Sequence, residues 1–137
     1  MPVNSPLAAT AFAAAALAGS AMLPATAAAV PAAENPAPSS TVQLSMQEEN
    51  QPQASVTTLT CEPSGGTHPE ADSACDALIG ADGDFAQLPV ESRACTLQYA
   101  PVTVHASGTW RGEPVHFQHT YANRCAAASE TGGVFSF

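Results

Sequence analysis

From Thr41 to Gln47 the chain reads TVQLSMQ, with Val42, Leu44 and Met46 alternating with polar residues. A period of two places them on one face of a β-strand. NQPQ, residues 50–53, breaks the pattern, and SVTTLTC, residues 55–61, predicts a second strand rich in β-branched side chains. EPSGGTHP reads as a loop, after which the period changes. In PEADSACDALIG, Ala71, Cys75, Leu78 and Ile79 recur at helical spacing, with Pro69 and Gly80 at the boundaries and acids in the first turns. ADGDFAQLPVESRA predicts a loop anchored in the core by Phe85 and Leu88. PVTVHASGTW and PVHFQHTY predict a hairpin turning at Arg111-Gly112-Glu113, with Val115, Phe117, His119 and Tyr121 on one face. CAAASE offers one helical turn, and the closing GGVFSF a short strand with Phe135 and Phe137 on one side. About five strands with one or two helices give an antiparallel α+β domain without internal repeats.

The chain has 137 residues, the length of one domain, but its start is not domain-like. Leu7 to Leu23 carries no charge, and the small-residue stretch after it offers A-x-A-like cleavage sites near Ala27 to Ala29. This is the pattern of a secretory signal peptide, although MPVNSP lacks a basic residue. The rivals are an alanine-rich helix and a membrane anchor, and an anchor needs about 20 predominantly apolar residues. The expected organisation is a signal peptide over 1–29, a flexible Pro/Ala-rich leader over 30–40, and a secreted, extracellular domain over 41–137.

Charge and cysteines narrow the class. The net charge is −9, with three arginines and no lysine, so there is no basic patch for nucleic acid. Four cysteines behind a signal peptide read as two disulfides. Three pairings are open and spacing does not choose among them, the sequential one being the simplest. A zinc site would want closely spaced C-x₂₋₄-C pairs, which are absent, and no metal or cofactor is expected.

Catalytic signals are weak. G-x-S-x-G and phosphate-cradling glycine loops are missing. His116 and His119 form H-x-x-H, but on a strand that spacing sends the rings to opposite faces. His105 could oppose one of them across the hairpin, with nothing in the sequence to fix the pairing. His68, before Pro69 in a loop, reads as structural, and Asp82 and Asp84 as turn formers.

The informative stretch is RACTLQYAPV, residues 93–102. A disulfide at Cys95 ties one end, and Pro101 fixes its own φ while driving Ala100 towards the extended region. An extended, anchored segment can lie in a protease cleft as an added strand and loses little entropy when it binds. Pattern alone leaves Leu97 open, because Cys95, Leu97 and Tyr99 alternate as a core strand also does.

The sequence resembles the subtilisin-inhibitor-like family of the Streptomyces subtilisin inhibitor type, from about Thr41 to Phe137. The resemblance is carried in order by VTTLTCEPSGGTHPEADSACDAL, CTLQYAPV, GTWRGEPV, YANRC and GVFSF. It implies a five-stranded antiparallel sheet with two short helices on one face and the disulfides Cys61–Cys75 and Cys95–Cys125. It further implies a secreted homodimeric inhibitor of subtilisin-class serine proteases, not an enzyme, with the reactive bond between Leu97 and Gln98. Cys95 and Thr96 then lie on the acyl side and Tyr99, Ala100 and Pro101 on the leaving side, with Asn123 supporting the loop. Leu97 suits the roomy apolar pockets of subtilisin-like and chymotrypsin-like enzymes rather than trypsin's. Thr96 stands where the family often has proline, Ala100 where it often has aspartate, and the segment from Cys61 to Cys75 is about one residue shorter than usual. A binding module of the same fold without inhibitory activity, and a small hydrolase using His105, His116 or His119 as base, are the competing readings.

Overall fold

The computed structural model describes residues 28–31 and 37–137. The signal peptide expected over 1–29 therefore falls largely, and the leader over 30–40 in part, outside the described residues. β1 (Ser40–Glu48) sits at the centre of a five-stranded antiparallel sheet in the order β3-β2-β1-β4-β5. β2 is Ser55–Cys61, β3 Gly65–Gly66, β4 Val102–Trp110 and β5 Glu113–Tyr121. Helices α1 (Ala71–Gly80) and α2 (Arg124–Glu130) cover one face.

The pleat explains that coverage. Val42, Leu44 and Met46 point into the core with Leu59 of β2 and Val102, Val104 and Ala106 of β4, all 2 % exposed or less. The intervening Thr41, Gln43, Thr60 and His105 point out. Register fixes the layer: Val42 opposes Leu59, and Leu44 opposes Thr57 and Ala106. Removing one such core side chain, as in Leu44→Ala, costs about 2–5 kcal/mol.

The five strands are counted differently from the sequence expectation. The chain end is not a strand. Gly132 and Gly133 take φ of 58° and 82°, and successive turn bonds join Val134 N–H to the Thr131 carbonyl and Ser136 N–H to that of Gly133. Two left-handed residues in succession break the extended run that a ladder needs, so Phe135 is buried through turns instead. The fifth strand is Gly65–Gly66 inside the expected loop, paired with Leu59 and Thr60. A Cβ on Gly66 would stand 2.2 Å from the Thr58 carbonyl oxygen, so this short edge requires glycine.

Two local expectations shift by a residue or two. The buried face of α1 is Ala74, Cys75, Ala77 and Leu78, while Ile79 is exposed. The hairpin turn is the two-residue Arg111-Gly112, with Trp110 paired to Glu113. Both turn residues have positive φ, 45° and 86°, the twist that closes a two-residue hairpin. Phe85, in a short 3₁₀ turn (Phe85–Gln87), and Leu88 are buried as expected. Cys61–Cys75 pins α1 to β2 with an S–S distance of 2.04 Å, and Cys95–Cys125 joins the loop before β4 to α2.

Candidate functional site

From Leu88 to Pro101 the chain has no regular secondary structure. It crosses the end of the domain as an exposed loop held at intervals. At its start, Glu91 N–H donates to the Ser129 carbonyl and Ser129 Oγ–H donates to the Glu91 carbonyl, both at 2.8 Å. Next comes the Cys95–Cys125 disulfide. At the far end, Ala100 N–H donates to the Ala122 carbonyl at 2.9 Å, and the Pro101 carbonyl accepts from Glu49 N–H at 3.3 Å.

Between these ties stands Leu97, with a relative exposure of 102 %, and Tyr99, with 80 %. Exposure on this scale removes Leu97 from the core, where an alternating strand residue would have placed it. The loop is not limp there. Asn123 Nδ2 donates to the Gln98 carbonyl at 2.8 Å and to the Thr96 carbonyl at 3.3 Å. One amide thus holds the residues on both sides of Leu97.

Local sequence dictates where that amide stands. Asn123 is the N-cap of α2, and its Oδ1 accepts from Ala126 N–H at 2.8 Å. Asparagine is among the preferred N-cap residues for this bond. Capping uses the oxygen and fixes the amide's orientation, which leaves both Nδ2 hydrogens for the loop. Cys125, two residues on, brings the disulfide from the same helical turn. The start of α2 is therefore a platform offering a covalent tie and a bidentate donor to one stretch of chain.

The structure brings Cys95, Thr96, Gln98 and Ala100 together with Asn123 and leaves Leu97 and Tyr99 free. It also recruits Ala122, Glu91 and Ser129, which sequence reasoning did not single out. Ala122 acts through its main-chain carbonyl, which no side-chain pattern can reveal. Arg124 Nη1 pairs with Glu48 at 2.5 Å, and Arg124 Nη2 also donates to the Phe137 carbonyl, tying β1, α2 and the chain end together beneath the loop.

The histidines do not assemble with this site. His116 and His119 lie on opposite faces of β5, and His105 opposes Gln118. Among the described residues none of the three makes a side-chain hydrogen bond to a carboxylate or hydroxyl. His68 is buried, its Nδ1 accepting from Glu70 N–H and its Nε2 bonded to the Val134 carbonyl. Among the described residues no helix is long and apolar enough to cross a membrane.

The sequence profile of the family described as "Subtilisin inhibitor-like" matches residues 37–123. Protease inhibitor SIL-V1/SIL-V4 of Streptomyces netropsis is 46 % identical over 83 residues, covering 58 % of this chain and 76 % of that one. Subtilisin inhibitor-like protein 5 of Streptomyces fradiae is 45 % identical over 82 residues, covering 58 % and 77 %. Among solved structures, Streptomyces caespitosus sermetstatin, crystallised in complex with Bacillus licheniformis subtilisin, aligns at 32 % identity. Its TM-score is 0.55, over 72 % of this chain and 98 % of that chain.

Proposed function

The chain belongs to the subtilisin inhibitor-like family, a family of protease inhibitors rather than enzymes, and from that premise we propose that it inhibits subtilisin-class serine proteases by the standard mechanism, with Leu97–Gln98 as the reactive bond. The observation that carries the reading is the contrast at Leu97. The side chain is fully exposed while the carbonyls of Thr96 and Gln98 are held by Asn123.

The chemistry follows from that contrast. The protease serine attacks the Leu97 carbonyl carbon, and collapse of the tetrahedral intermediate expels the Gln98 amine. In a substrate the amine diffuses away. Here the acyl half stays attached through Cys95–Cys125 and the Thr96 bond to Asn123. The amine half stays attached through Gln98 on the same amide and through Ala100 on Ala122. The amine therefore remains within reach of the acyl carbon, and effective concentration favours re-forming the peptide over hydrolysis. Because the loop is ordered before it binds, little entropy is lost on docking. Leu97 enters the specificity pocket, and an apolar pocket of the chymotrypsin type accepts it too.

The decisive experiment titrates the domain against subtilisin. Stoichiometric loss of protease activity is expected, with slow, reversible cleavage confined to Leu97–Gln98. Steady hydrolysis at that bond without inhibition would instead make the chain a binding module of the same fold. We further propose secretion after removal of residues 1–29, tested by N-terminal sequencing of the exported protein. A homodimer is proposed from family membership, tested by its mass in solution.

A further inference from the structure

We propose that Arg124 is a positioning residue for the leaving half of the reactive loop, bracing against each other, through Glu48, the two supports that hold that half. The inference rests on the inhibitory reading and adds to it the contact that keeps the freed amine in register with the acyl carbon. The supports belong to different elements. Gln98 is held by Asn123 and Ala100 by the Ala122 carbonyl, both where the chain enters α2. Pro101 is held by Glu49 N–H, one residue past the end of β1. Val102, the first residue of β4 and the root of the leaving half, lies between them, opposite Glu48 on one side and Tyr121 on the other. Arg124 follows Tyr121 by three residues, and its Nη1 reaches Glu48 Oε1 at 2.5 Å. The pair therefore spans the strand from which the leaving half emerges. Glu48 shares the parity of Val42, Leu44 and Met46, so the brace runs on the face that the helices cover. Among the described residues no other hydrogen bond or ion pair joins β1 to α2.

Both ends of the brace are fixed from their own side. Arg124 Nη2 donates to the Phe137 carbonyl, so the guanidinium is held by two acceptors at once. A planar fork held in this way sets direction as well as distance, which a lysine ammonium does not. On the other side, Gln47 Nε2 donates to the carbonyls of Glu48 at 2.9 Å and Gln51 at 2.6 Å, and Gln51 N–H donates to the Glu48 carbonyl at 3.1 Å. These bonds stiffen the turn that carries Glu49. Re-forming the reactive peptide bond requires the Gln98 nitrogen to attack the Leu97 acyl carbon while the ester to the protease serine breaks and the proton passes to the serine oxygen. A misplacement of about 1 Å is enough to slow such a step. Arg124 touches none of the reacting atoms. It limits how far the two supports drift apart once the bond between the halves is cut.

The test measures the ratio of intact to cleaved chain that a catalytic amount of subtilisin establishes at equilibrium. Arg124→Gln and Glu48→Gln are each expected to move the ratio towards the cleaved form by about three- to fivefold, the scale of one partly exposed ion pair, and to slow complex formation from the cleaved chain. The double variant is expected to be no worse than either single one, and Arg124→Lys to fall between the parent and Arg124→Gln. The two single substitutions move the net charge in opposite directions, so a common shift is not an effect of steering. Amide hydrogen exchange of the free chain reads the brace without protease: the amides of Glu49 and Ala100 exchange faster in Arg124→Gln, while those of Ala106 and Phe117, midway along the hairpin, do not. Glu62→Gln breaks an ion pair at the hairpin tip and controls for lost stability alone; it is expected to leave the ratio at the parental value. An unchanged ratio in Arg124→Gln, faster exchange without a shift in the ratio, or an equal shift in Glu62→Gln would each overturn the proposal. Steady hydrolysis of the parent without inhibition would overturn the inhibitory reading itself, and this proposal with it.

Discussion

Asn123 uses both ends of one amide: the oxygen caps α2 and the nitrogen holds Thr96 and Gln98. Asn123→Asp separates these roles. The carboxylate still accepts from Ala126 N–H and suits a helix N-terminus, but it has no hydrogen to give the loop and sets negative charge beside two carbonyl oxygens. Each lost neutral hydrogen bond is worth about 0.5–1.5 kcal/mol, so the pair amounts to about 5- to 150-fold in inhibition. The expected result is a melting temperature within a few degrees of the parent, with weaker inhibition of subtilisin and faster cleavage after Leu97. Parallel losses of stability and inhibition would show instead that Asn123 acts only through the helix. Leu97→Lys tests the neighbouring position. A lysine meets the buried aspartate of a trypsin pocket and is poorly received by an apolar one. Inhibition is therefore expected to move from subtilisin to trypsin, and trypsin indifference with undiminished subtilisin inhibition would place the reactive bond elsewhere. At this scale the sequence was partly legible. Cysteine arithmetic and Pro101 marked the loop, but only resemblance to a family singled out Leu97, because alternation describes core and display equally well. Ala122 and Ser129 were invisible, since the first acts through its main chain and the second through a contact 38 residues away.

The hairpin of β4 and β5 shows how an element is fastened at its tip. Arg111 occupies a left-handed turn position with a φ of 45°. Its side chain donates to Glu62 from Nε at 2.8 Å and Nη2 at 2.6 Å, and to Asp82 from Nη1 at 3.1 Å, with the guanidinium 5.4 Å from the Trp110 ring centroid. Hydrogen bonds from Arg111 and then Ser39 lower the Glu62 pKa from 4.5 to about 2. A carboxylate with a lowered folded-state pKa stabilises the native state above its unfolded value and loses that contribution as protons bind. The contribution is therefore present above about pH 4.5 and fades between there and about pH 2. Because the group is exposed, salt screens it. Glu62→Gln is expected to lower the melting temperature modestly near neutral pH and to match the parent near pH 2. A variant whose deficit persists at the acid end would exclude the ion pair as its origin. Elements with strong periodicity, β1, β2 and the hairpin strands, were legible because one sheet face is buried and the other is wet. The chain end was misread because GGVFSF alternates like a strand, while its two glycines take left-handed turns that periodicity does not encode. The Gly65–Gly66 strand was missed because its cause is close backbone approach to Thr58, a tertiary fact.

Over the whole molecule the charge is one-sided, and the structure makes it more so. Each of the three arginines is ion-paired within the chain: Arg93 with Glu91, Arg111 with Glu62 and Asp82, and Arg124 with Glu48. With no lysine and a net charge of −9, no arginine or lysine side chain is left free to meet an anionic partner. The composition was legible at once, but the pairing was not, because Arg111 and Glu62 are 49 positions apart and Arg124 and Glu48 are 76 apart. The consequence for association is kinetic. Long-range attraction steers encounter with a protease of positive surface potential, and long-range repulsion slows encounter with a negative one. Contact at the interface is a separate matter, since on the proposed reading exposed Leu97 buries apolar surface in the pocket, a contribution that salt hardly screens. Raising ionic strength from about 0.01 M to about 0.15 M shortens the Debye length from about 30 Å to about 8 Å. Against a cationic subtilisin-class enzyme the association rate constant is expected to fall by about tenfold over that range, with the dissociation rate nearly constant; against an anionic one it is expected to rise. Stopped-flow measurement with two enzymes of opposite net charge checks this. If both associate at the same rate in low salt, the acidic surplus serves solubility and plays no part in choosing the protease.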